Sequence, residues 1–100
     1  MDIDAFHRST TDAAPPAGLT RPLAGLWWAA KGDWDKAHAT VQADDTPLAA
    51  WVHAYLHRVE GDLDNARYWY ARAKKPPSAE RLEDEWLSIS QTLLRGEASA

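Results

Sequence analysis

The chain contains no cysteine, so it forms neither a disulfide framework nor a thiolate metal site. That absence agrees with a reducing compartment, and the expected location is the cytoplasm. A basic excess is missing too: 11 Lys and Arg stand against 15 Asp and Glu, for a formal net charge of −4. General nucleic-acid binders show a basic face or stripe, so nucleic acid is not an expected partner. No apolar run approaches the ~20 residues that a membrane-spanning helix needs. The first residues, Met1-Asp2-Ile3-Asp4-Ala5-Phe6, lack the basic-then-apolar order of a signal peptide. No membrane association is expected. A Gly-rich phosphate loop and a serine elbow are also absent. The chain is therefore expected to be no enzyme and to need no cofactor.

What the 100 residues do contain is an internal repeat. Gly61-Asp62-Leu63-Asp64-Asn65-Ala66-Arg67-Tyr68-Trp69-Tyr70 echoes Gly32-Asp33-Trp34-Asp35-Lys36-Ala37-His38-Ala39-Thr40-Val41. The two glycines stand 29 residues apart, and each follows an apolar segment with helical spacing, Leu26 to Ala30 and Trp51 to Leu56. The unit reads as helix, Gly-Asp turn, helix, used twice. Six tryptophans enlarge the core of a small domain, since each aromatic can bury roughly 150–250 Å².

In chain order, residues 1–19 have the composition of a flexible arm, with Ser9-Thr10-Thr11-Asp12 followed by a Pro/Gly-interrupted stretch. Asp4 to Arg8 can make one helical turn, with Phe6 as its large apolar group. The first full helix begins near Thr20 and stops at Gly32; Leu23, Leu26, Trp27 and Ala30 recur at helical spacing. Asp33 caps the second, which carries Trp34, Ala37 and Val41 on one face. Thr46-Pro47 is the clearest helix start, an N-cap hydroxyl followed by proline at the first helical position. The third helix points Leu48, Trp51 or Val52, Tyr55 and Val59 inward. Gly61 ends it, and Asp62 caps a fourth with Leu63, Ala66, Tyr70 and Ala73 inward. Pro76-Pro77 prevents continuation. Ser78 caps a fifth helix whose Ala79, Leu82, Trp86, Ile89 and Leu93 form one apolar stripe, leaving a polar outer face suited to a terminal cap. Residues 96–100 are expected to fray.

These residues resemble the tetratricopeptide repeat (TPR), in which a small residue in helix A precedes a Gly, then Ala, an aromatic or large apolar residue, and Ala in helix B. The second unit matches at Ala54, Gly61, Ala66, Tyr70 and Ala73. The first matches at Gly25, Trp28, Gly32, Ala37 and Val41, but has Asp44 where Ala is expected. The 29-residue period departs from the family's ~34. Residues 23 to 75 are also similar to a group of short bacterial proteins that carries no assigned activity. The TPR resemblance implies an all-α, TPR-like antiparallel helix array: two helix-turn-helix units plus a C-terminal capping helix over 20–95. It also implies a non-enzymatic interaction scaffold for a protein or peptide. With only two units and a cap, the open end of the first unit offers a homodimer surface.

Three candidate sites follow. Trp51, Tyr55 and Arg58 step along the third helix, the helix A of the second unit. In the resemblance helix A lines the concave face, so these form the expected partner-binding surface; the plain alternative is that Trp51 and Tyr55 are core. His53, His57 and Glu60 lie on another face of the same helix. Two histidines at i, i+4 can share a metal, and a carboxylate one turn on can complete three ligands. Ala54, however, stands where a His-Glu-x-x-His motif needs glutamate. The expected metal set is accordingly none, with a small metal- or ligand-binding protein as the alternative function. Finally, Arg67, Arg72, Lys74 and Lys75 face an acidic run, Glu80, Glu83, Asp84 and Glu85, as an intramolecular charge match or as a site for an acidic partner.

Overall fold

Short-range capping sets where the chain turns, and the computed structural model describes residues 1–99, with side chains through residue 96. Six helices result: α1 (Ile3–Ser9), α2 (Arg21–Ala30), α3 (Trp34–Gln42), α4 (Pro47–Glu60), α5 (Leu63–Ala73) and α6 (Leu82–Ser99). No strand occurs among the described residues, and none of the helices is long and apolar enough to cross a membrane.

The two Gly-Asp turns close in the same way. The Gly61 N–H donates to Arg58 O (3.0 Å) and Asp62 N–H to His57 O (2.9 Å); Gly32 and Asp33 donate to Ala29 O and Trp28 O at 3.0 Å each. This closure needs a left-handed residue, and Gly61 adopts φ 85° without a Cβ clash. Each aspartate then caps the next helix: Asp33 Oδ1 accepts from Lys36 N (3.1 Å) and Asp62 Oδ1 from Asn65 N (3.2 Å). With links this short, α2 folds back on α3 and α4 on α5.

The two pairs meet along α3 and α4, and α2 also touches α4. Gly25 permits that approach, because a Cβ there would lie 2.5 Å from Val41 Cγ1 and 3.4 Å from Val52 Cγ1. Helix α6 lies against both α2 and α4, and α1 lies against α6. The core gathers Phe6, Leu23, Leu26, Trp27, Val41, Val52, Leu56 and Ile89. Three indole N–H groups tie elements together: Trp86 to Leu26 O (2.7 Å), Trp34 to Leu56 O (2.7 Å) and Trp27 to Ser9 Oγ (3.1 Å).

Several sequence expectations change. The arm expected over 1–19 contains a docked helix: Phe6 is 0% exposed and stacks on Trp86 at 5.5 Å. The Trp86 ring gives that one apolar side chain a partner far away in sequence. The last helix begins at Leu82 rather than Ser78, whose Oγ accepts from Glu80 N in a turn (3.1 Å). Five expected helices thus become six. Leu48, Val59 and Leu63 are exposed rather than inward, since the inner surfaces of α4 and α5 are carried by Val52, Leu56, Ala66 and Tyr70. Residues 96–99 continue α6 where fraying was expected; Ala100 lies outside the described residues.

Candidate functional site

His53 and His57 are one helical turn apart on α4, so both rings emerge on the same side of that helix. That side faces the seam with α3. There His38 meets them, with its Nε2 2.9 Å from His53 Nε2. One ring nitrogen of each of His38, His53 and His57 lies within 4.8 Å of the others. His53 and His57 are 4% and 5% exposed, and His38 is half-buried.

The seam is walled by aromatic rings from its neighbours. Trp34, one turn before His38, stacks on it at 4.7 Å and 10°. Trp69 of α5 stacks on His53 at 3.8 Å and 11°. The Trp34 indole is fixed by its bond to Leu56 O, so the same residue locks α3 on α4 and sets the His38 ring. On the far side, Glu60 Oε1 sits 2.6 Å from His57 Nδ1. A carboxylate there accepts from Nδ1–H, so Nε2 is the nitrogen through which this ring can ligate a metal.

Burial favours the neutral form of two of these rings, His53 and His38. Burial pushes the His53 imidazole down to about 4, with His38, His57 and Arg72 adding to the fall. His38 is lowered as well, by burial first and then by His57, against the opposing pull of Glu60 and Asp35. Neutral imidazoles offer lone pairs, which is the form that ligates a metal. Beside His53 a cavity of about 100 Å³ is lined by Asp44, Asp45, Thr46, Trp69 and Arg72, among others. Its lining thus carries charges of both signs next to the seam.

No family model, no curated protein and no solved structure matches this chain.

The residues expected to form a partner surface lie elsewhere. Tyr55 is buried, and burial, then the charge of Glu85, pushes its phenol up to about 12. Arg58 has a side chain 17% exposed; its Nη1 donates to Glu85 Oε1 (2.5 Å) and its Nη2 to Glu80 O (2.6 Å). Trp51 is half-buried under the Lys75 ammonium, 4.4 Å from the ring centroid. Tyr55 and Arg58 therefore serve contacts with α6 rather than presenting a joint open face.

Two residues took positions that the sequence reading missed. His38 joins the histidines only through the α3–α4 packing, although its position four residues after Trp34 hinted at one shared face. Glu85, read as part of an acidic surface run, is buried at 2% exposure and also accepts from the Tyr70 hydroxyl. Its position three after Leu82 and four before Ile89 puts it on the apolar stripe, which was the available signal. The expected pairing of α5 cations with this acidic run is replaced: Arg67 pairs with Asp64, Arg81 with Glu83 and Asp84, and Arg72 lies over Trp69 at 5.1 Å.

Proposed function

We propose that this chain binds one divalent transition-metal ion of the zinc class through His38, His53 and His57, without catalysing a reaction. The convergence of three ring nitrogens within 4.8 Å carries this reading. Donors that share a tetrahedral zinc at ~2.0–2.1 Å stand roughly 3.3–3.4 Å apart, so the rings close on an ion by side-chain adjustments of about 1 Å. Imidazoles suit Zn²⁺, Cu²⁺ and Ni²⁺, and with no cysteine nothing selects the softer thiophilic ions. Glu60 then acts through His57, orienting the ring and raising its basicity, as carboxylates behind metal-bound histidines do. The sequence alternative had placed Glu60 on the metal itself; His38 takes that place here.

The accompanying fold reading is a TPR-like antiparallel array, supported by the identical Gly-Asp closures of both units. A peptide-binding role at Trp51, Tyr55 and Arg58 has less support, because α6 covers that side. Titration calorimetry on protein without a histidine tag tests the metal reading. One equivalent of Zn²⁺ is expected, lost in His38→Ala. Several weak equivalents that persist in His38→Ala contradict it.

A further inference from the structure

The three-histidine reading leaves a tetrahedral ion one ligand short, and the source of the fourth decides what the site can do. Closed four-ligand sites are structural staples, whereas three-ligand sites keep a position for an outside group. Among the described residues no fourth His, Asp or Glu joins the trio; Glu60 and Asp62 form a separate group that shares only His57 with it. The Glu60 carboxylate is seated on His57 Nδ1. The two nitrogens of an imidazole point to opposite sides of the ring, so a carboxylate on Nδ1 lies away from an ion on Nε2. Asp62 spends Oδ1 on the Asn65 N–H as the cap of α5.

The aromatic walls supply no donor either. The Trp34 N–H is committed to Leu56 O, and Trp69 meets His53 face to face. The cluster borders the cavity of about 100 Å³ beside His53, and its His38 member is half-buried. Three neutral imidazoles also leave the double charge of the ion uncompensated within the shell, which favours an anionic oxygen donor at the vacant position.

We propose that the ion held here keeps an exchangeable fourth position and takes there a water or a small free carboxylate from solution. This rests on the three-histidine metal reading. The flanking rings of Trp34 and Trp69 limit the carboxylate to a compact one.

Co²⁺-loaded protein provides the test, because the visible bands of cobalt report its ligand set. The wild type is expected to take one Co²⁺ per chain and to change its spectrum saturably with acetate, but not with the bulky pivalate. Glu60→Gln is expected to weaken Co²⁺ binding by ~10–100-fold, as loss of an outer-shell partner does, while keeping the acetate response. A cobalt protein inert to acetate that becomes responsive in Glu60→Gln overturns the proposal, since Glu60 itself would then be the fourth ligand. Stoichiometric cobalt with no acetate response in either protein also overturns it, while leaving the three-histidine reading in place. Failure to bind Co²⁺ at all, or binding unchanged in His38→Ala, removes that reading and the proposal with it.

Discussion

Arg58→Glu is the substitution on which a surface reading of α4 and its actual packing disagree most. On an exposed helix end it would change stability by a few tenths of a kcal/mol. Here Arg58 donates to Glu85 Oε1 and Glu80 O, and Glu85 is 2% exposed, with Tyr70 as its other side-chain partner among the described residues. Removing one partner of a buried pair strands the other charge and costs about 3–5 kcal/mol. The partial exposure of Arg58 admits some water and places the loss near the lower end, about 3 kcal/mol, before the repulsion between two carboxylates is added. For a chain of this size that corresponds to a fall in Tm of roughly 12–24 °C. Circular dichroism melts together with urea unfolding measure it. The triple variant Arg58→Met, Tyr70→Phe, Glu85→Leu serves as control, because it also removes the hydroxyl that Glu85 accepts from, and a buried polar cluster replaced by apolar groups of similar volume is often neutral or stabilising. If Arg58→Glu melts within ~1 kcal/mol of the wild type, Glu85 is hydrated and the account of how α6 is held is wrong.

Phe6→Ala is expected to lower stability by about 3 kcal/mol or more, the usual range for deleting a fully buried aromatic; a loss under ~1 kcal/mol in urea melts would mean that α1 does not stay docked. Alkaline pH should unfold the protein early. The Tyr55 phenol is pushed up to about 12, and Tyr70 is raised too, by burial and then by its bond to Glu85. Both folded values lie above the unfolded value near 10, so the stability they contribute is complete below about pH 10 and is lost as pH rises towards the folded values, at up to ~1.4 kcal/mol per unit for each phenol. Urea unfolding at pH 9, 10.5 and 11.5 should show this decline, and Tyr55→Phe or Tyr70→Phe should flatten it; unchanged slopes in both variants would place the phenols in water.

The parts of the fold that were legible in the sequence are those set by neighbours in the chain. The Thr46-Pro47 start and the paired Gly-Asp closures at Gly32 and Gly61 depend on local backbone chemistry, and each is found where its residues predict it. The last helix shows the limit of such signals. Ser78 has capping chemistry, but Pro76-Pro77 and the turn to Glu80 delay the helix to Leu82. Phe6 carried no periodic pattern, and only the distant Trp86 ring makes it core. The candidate site divides in the same way. His53 and His57 were readable as an i, i+4 pair on one helix. His38 belongs to another helix, and its approach depends on Gly25 and Trp34 setting the packing of the first unit against the second. Glu60 was seen as a ligand because spacing along a helix shows proximity but not which ring nitrogen a carboxylate occupies.

The most direct measurement of the central claim is X-ray absorption at the zinc edge on protein loaded with one equivalent of Zn²⁺. The account predicts three imidazole nitrogens, with the outer-shell scattering of their rings, and one oxygen donor, all at about 2.0–2.1 Å, with one imidazole lost in His38→Ala. A first shell dominated by carboxylate oxygens, or one with fewer than three imidazoles in the wild type, would contradict it.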